Sequence, residues 1–273
     1  MSSYEIGMQW AAVGIYALST VLFIAAFVWE KDAWLKWAVR VAVAGLIVHT
    51  GALALRWAIT GHGPYMRRYE VFSSNVWVAV LMYIVVQWRF PRLRMAGGLV
   101  MPVSLLVIGF AVMASPEIRP LPESFKTFWL IVHIYFAKLA YGSCLLGTAF
   151  GLLIIVKNKG WFQTFTGRLP DSEVLDEYSY KFIAFGFFMI GIMIAAGAIW
   201  ANNAWGSYWA WDPVEIWSLI SWMLFGVYLH LRRVHGWRGE KMAWLALVSL
   251  IILIFAIMGV GLFYLSQHSP YLS

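Results

Sequence analysis

Charge is scarce in this chain: Asp, Glu, Lys and Arg make up 12% of its 273 residues, against about 25% in soluble domains. That excludes an ordinary water-soluble fold, whose surface needs those residues. Cysteine is nearly absent. Cys144 stands alone inside an apolar run, so no internal disulfide forms and any thiol chemistry has to involve a partner's cysteines. Segments of alternating polarity are missing, which excludes a membrane barrel. The net charge of +7 is not gathered into a dense basic run, so nucleic acid is not an expected partner. Walker and Rossmann glycine motifs are missing, as is any Ser/His/Asp or Cys/His nucleophile arrangement. No 20–50-residue repeat is visible. The N-terminus, MSSYEIGMQW, lacks the basic region of a cleaved signal, and the first apolar run is expected to remain as a span.

What is present is apolar sequence. Hydrophobic residues make up 62% and the mean hydropathy is +0.74. Runs of about 20 residues suffice to cross about 30 Å of hydrocarbon as helix. We therefore expect an all-α, polytopic protein embedded in the lipid bilayer, with eight spans near 7–29, 35–59, 71–88, 97–114, 128–156, 182–200, 213–230 and 242–265. All belong to one membrane domain, 1–273, with four spans in 1–114 and four in 128–273, and the proline-bearing connection 115–127 is a candidate seam. Connections after spans 1, 3, 5 and 7 hold thirteen Lys and Arg residues, while Arg67, Arg68, Arg119 and Lys126 are the four on the other side. The positive-inside rule then puts both termini outside the cytoplasm. The acidic stretch DSEVLDEYSYK before span 6 reads as a solvated face.

Six of the 17 tryptophans fall within Trp200–Trp222, WANNAWGSYWAWDPVEIWSLISW. Polar residues and Gly/Pro breaks in its centre keep it from lying bare in lipid, so a surface loop is expected on the outer side. An aromatic belt explains scattered indoles. The cluster of Trp205, Trp209 and Trp211 with Gly206 suits a flat apolar platform for a large planar ligand. Asp212, Pro213 and Glu215 have the order of a helix start, and Asp212 can both cap that helix and face a ligand.

Three histidines stand out by depth. His133, five residues into span 5, and His268, just past span 8, flank the tryptophan loop, and two imidazoles there suit axial ligation of a haem iron. His230 lies about 25 Å from the outer side along its helix and is either an inner ligand or an interfacial residue beside Arg232 and Arg233. His49 is mid-span, where an ionisable group marks a functional site by default or simply bonds a neighbouring helix. Arg56 either snorkels or meets a ligand carboxylate. Lys138, near the bilayer centre, needs a partner or a water-filled cavity.

These residues carry a family resemblance. GAIWANNAWGSYWAWDPVEIWSLISWMLFGVYLHLR resembles the signature of the WWD haem-handling proteins, within them the CcsA/ResC type of System II cytochrome c biogenesis. FWLIVHIYFAKLAYGS around His133, LDEYSYKFIAFGF, YLSQHSPY around His268 and GHGPYMRRYEVFSS are similar to other segments of that family. Val214 stands where the family often has lysine, and Lys138 matches no position of the pattern. The resemblance implies export of haem b through the cytoplasmic membrane, with His230 an inner ligand. It further implies presentation on the loop at 200–215 between His133 and His268, and covalent attachment to C-x-x-C-H apocytochromes c. A CcsB/ResB-type membrane partner is implied as well, supplying another inner histidine for which His49 is the in-chain alternative. Two other readings stay open: a CcmC-like haem chaperone without ligation chemistry, and a non-haem transporter or scaffold bundle.

Overall fold

The computed structural model describes residues 2–264 and residue 266. Among the described residues there is no strand, and eight helices are long and apolar enough to cross a membrane. They are α1 (Ser2–Trp29), α2 (Asp32–Thr60), α3 (Arg68–Arg89), α4 (Gly97–Met113, extended by a 3-10 stretch Pro91–Ala96), α5 (Phe128–Asn158), α7 (Ser172–Trp205), α8 (Pro213–Val234) and α9 (Glu240–Ile254, continued to Phe263 to complete the span). The short helix α6 (Gln163–Thr166) lies between α5 and α7, and α9 runs through a π turn, Phe255–Gly259, into α10 (Val260–Phe263). Only helices satisfy every backbone N–H and C=O in lipid without outside partners.

Two expected boundaries move. The acidic stretch continues span 6 without a break, so α7 has 34 residues and is about 51 Å long, well beyond the hydrocarbon thickness. No proline interrupts it. One side of the stretch is a solvated face, with Asp171, Glu173, Glu177 and Lys181 exposed, but Asp176 is buried, pairs with Arg232 and accepts from Gly239 N at 3.0 Å. Glu177 adds a second contact to Arg232 at 3.1 Å. Likewise, the loop expected at 200–215 is shorter, because Trp200–Trp205 finish α7 and α8 starts at Pro213, with residues 206–212 between the helices.

Helix α5 is the most enclosed of the eight, packing on α7, α9 and α3. Among its buried residues the small ones, Gly142, Ser143, Cys144, Gly147, Thr148, Ala149 and Gly151, are interspersed with Tyr141, Leu145, Leu146 and Phe150, and small residues are what lets helices approach closely in lipid, where no hydrophobic driving force brings them together. A Cβ on Gly147 would stand 3.0 Å from the Ser179 carbonyl of α7, and one on Gly151 would stand 3.2 Å from Ala243 Cα of α9. Cys144 is fully buried in this seam.

Replacing Gly147 by Leu is expected to cost about 1–3 kcal/mol through overpacking, read as a lower melting temperature in detergent. Gly109→Ala, where an added Cβ meets nothing within 4 Å, should leave it unchanged; equal stability of the two variants would refute the packing argument.

Candidate functional site at the tryptophan-loop end

The loop is built by its two flanking helices. Helix α7 ends at Gly206, whose left-handed φ of +79° suits glycine and whose N–H donates to Asn202 O at 2.9 Å. Helix α8 begins with a capping box. Asp212 accepts from Val214 N at 2.9 Å, and Glu215 accepts from Asp212 N at 3.1 Å and from Ala210 N at 2.9 Å. The two carboxylates therefore shape the loop backbone. Trp211 is held at φ +56°, a region costly for a bulky residue. Ser266 donates to Asp212 at 2.9 Å, which ties the segment after α10 to the loop. His268 lies outside the described residues.

The three indoles do not make one flat platform. Trp209 and Trp211 meet at 89° with centroids 5.7 Å apart, and Trp205 stands edge-on to Trp200 at 80° and 5.0 Å. Trp200 is buried, donates to Ser124 O at 2.8 Å, and with Phe125, Leu130 and Met66 forms an apolar plug beneath the loop. Trp205 packs on that plug. Trp211 and Tyr208 are exposed and Trp209 is half-buried, and Tyr208 and Trp209 line one recess with His133 of α5. Edge-to-face contacts are what indole quadrupoles favour when rings crowd.

His133 is where this geometry converges. It lines a shallow recess, open to solvent, with Gly197, Trp200, Tyr208, Trp209 and Glu215. It also lines a deeper cavity of about 1180 Å³, counted to its open mouth, with Asn75, Lys138 and Trp200. Its Nδ1 lies 2.8 Å from the Met193 carbonyl. A carbonyl only accepts, so Nδ1 carries the proton and Nε2 the lone pair, the arrangement metal-ligating histidines adopt. Gly197 makes room for the ring, since a Cβ there would stand 2.6 Å from Nδ1. Neither Gly197 nor the Met193 carbonyl is visible in the sequence reading. Both depend on the register between α5 and α7, and no local pattern marks them.

Other expected site residues lie elsewhere. His230 is exposed, 17 residues past the start of α8, with its ring edge-on to His235 at 5.6 Å. That is about 25 Å from the loop end of α8, so His230 and His133 belong to opposite ends of the bundle. His49 takes the second of its two expected readings, a bond to neighbouring helices. It is fully buried, with Tyr16 OH 3.2 Å from Nδ1 and Ser73 Oγ 2.8 Å from Nε2. Ser73 is only about 8 Å along α3 from the loop end, so His49 cannot share an iron with His230. Arg56 is a correction. Its Nε donates to Glu70 at 2.9 Å, its Nη1 to Pro116 O at 2.7 Å, and Glu5 lies 3.7 Å away. With all three charged groups buried, the guanidinium is committed to tying α1, α2 and α3 to the 114–127 connection, not to a ligand carboxylate.

The fold and this site define a multi-pass helical membrane protein of the cytochrome c assembly family. The chain belongs to that family, Cytochrome C assembly protein, whose pattern matches residues 65–267. Within it the chain is of the CcsA type. It is 34% identical over 258 residues to the "Cytochrome c biogenesis protein CcsA" of Synechococcus sp. (strain CC9902), covering 84% of each chain. It is 35% identical over 225 residues to that of Chlamydomonas reinhardtii, covering 80% of this chain and 63% of the relative. A solved "Cytochrome c Heme Lyase CcmF" shares the fold at TM-score 0.69 and 18% identity, over 99% of this chain. The chain spans about half of that solved protein, 48%.

Two substitutions test this geometry. Gly197→Ala should push the His133 ring off the Met193 carbonyl and cost about 1–3 kcal/mol through overpacking; an unchanged melting temperature in detergent would count against the placement. Arg56→Met should destabilise the protein by about 3–5 kcal/mol, because Glu5 and Glu70 are left as buried unpaired charges. A variant that melts with the wild type would restore Arg56 as a candidate ligand contact.

Proposed function

We propose that this protein presents haem b at the outer face of the cytoplasmic membrane and takes part in joining it covalently to C-x-x-C-H apocytochromes c, together with a CcsB/ResB-type membrane partner. The observation that carries this is His133, whose Nδ1 is held by the Met193 carbonyl and which lines a recess with Trp209 and Tyr208 of the tryptophan loop. The Ser266–Asp212 bond brings Ser266, two residues before His268 in sequence, to the same loop. The lysine and arginine distribution supports an outer position for the loop and both termini, and residues 128–273 are the haem-handling part.

In this reading His133 and His268 hold the iron from its two sides and the indoles cover the apolar ring faces. An exposed vinyl edge then meets an acceptor thiol. Each thioether forms by addition of a cysteine S–H across a vinyl C=C, sulfur to one carbon and hydrogen to the other. The step is redox-neutral and has no leaving group. It gains rate from positioning rather than from a protein acid or base. The acceptor's own histidine replaces one axial ligand as the product leaves. His230, at the far end, is the inner ligand, with its second ligand from the partner. The name of the solved structural neighbour, a haem lyase, favours ligation over the chaperone reading.

Co-expression with an apocytochrome c and a CcsB/ResB-type partner tests the proposal. Covalent haem on the acceptor, measured by mass, is expected with the wild type and should fall at least about tenfold with His133→Gly. The purified wild type should show a six-coordinate, bis-histidine spectrum that the variant loses and added imidazole restores. Haem transfer without a mass increase selects the chaperone reading. A colourless wild type from haem-replete cells refutes both.

A further inference from the structure

Lys138 sits in the wall between two cavities. One is the cavity beneath the tryptophan loop that His133 lines. The other, about 930 Å³, lies among α2, α3 and α5 and is bordered by Thr50, Trp57, Ser74, Trp77 and Tyr135. Tyr65, Ile134 and Lys138 line both. The lysine is 7% exposed. Its Nζ donates to Ser74 Oγ at 2.7 Å on the side-cavity face and reaches Asn75 Oδ1 at 3.4 Å on the other. No Asp or Glu pairs with it among the described residues. The carboxylate in its neighbourhood, Glu70, is committed to Arg56 Nε and to Met66 N, each at 2.9 Å.

An ammonium group inside a membrane bundle, solvated by one hydroxyl and a long amide contact, has one N–H donor left over and no counter-charge. Such residues face a cavity or a charged partner, and a permanent internal ion pair is what this site lacks. Lys138 and His133 are five residues apart on α5, about 7.5 Å along the axis, and line the same cavity. A porphyrin carries its metal at the centre and its two carboxylates on one edge. One helix that offers an imidazole and, a turn and a half deeper, an ammonium addresses both features at once.

We propose that Lys138, with Asn75 beside it, is the binding point for a carboxylate on the acidic edge of the porphyrin held beneath the tryptophan loop. This rests on the haem reading above and adds a second anchor that sets the rotation of the ring about its iron. Fixing that rotation decides which edge, and so which vinyl groups, face the loop mouth.

Iron protoporphyrin IX and its dimethyl ester, which differ only in the carboxylates, are titrated against the purified full chain in detergent. The wild type is expected to bind the ester about tenfold more weakly, the scale of one lost charge-assisted hydrogen bond. Lys138→Met should bind both alike, at the wild type's affinity for the ester, and Lys138→Arg should recover part of the preference. Palmitate, which has the carboxylate without the ring, should leave the haem titration unmoved. Equal binding of acid and ester by the wild type overturns the assignment even if Lys138→Met fails to fold, and so does undiminished discrimination in Lys138→Met. Displacement of haem by palmitate overturns it too, because the carboxylate site then belongs to the side cavity. Haem binding without ester discrimination removes only the lysine, whereas no haem binding at all removes the haem reading with it.

Discussion

The contact between α5 and α7 governs this molecule. Two apolar helices in lipid gain little from hydrophobicity when they meet, so they hold together by close packing. Here the antiparallel seam is set by glycines that alternate sides. Gly147 of α5 lies under Ser179 and Ile183, Gly186 of α7 under Cys144, and Gly197 of α7 under His133. The first two let backbones approach. The third uses the same device for a different purpose, because the space a Cβ would fill holds an imidazole that reaches the Met193 carbonyl. A shift of one turn along this seam would separate ring and carbonyl by about 5.4 Å, so packing and ligand geometry share one register.

Polar groups in the first half of the chain serve a different end. Glu5, Arg56, Glu70 and Tyr69 form one buried cluster, and Gln9, Ser73, His49 and Tyr16 form a second just below it. In a low-dielectric interior such groups are costly alone and tolerable when mutually satisfied. They lock α1, α2 and α3 together near the loop end, where the 114–127 connection crosses. Lys138 lies beside these clusters and differs from them, since its partners are neutral. That contrast between buried charge paired with opposite charge and buried charge with only neutral partners, rather than depth in the membrane, separates architecture from candidate chemistry.

Much of this was legible in the chain alone. Apolar run length and the Gly206 and Asp212-Pro213-Val214-Glu215 punctuation are local properties, so the eight crossings among the described residues and the place of the tryptophan loop between two of them follow from the chain. His133 stood out by depth within its own helix. What was misread or left open has one source. Arg56 and His49 were judged by depth, yet their partners are 14 to 61 residues away in sequence. The three loop indoles suggested a plane because composition carries no information on ring orientation.

The sequence by itself therefore determined membrane residence, helix number among the described residues, the capped tryptophan loop and the family, since each depends on residues close together in the chain. Tertiary structure alone decided which face of each helix turns inward. With that it decided that Gly197 and Met193 aim His133, that Arg56 is consumed by two glutamates, and that Lys138 stands between two cavities without a counter-charge. Those facts depend on the register between helices far apart in sequence, and a hydrophobic pattern that is apolar on every side leaves that register open.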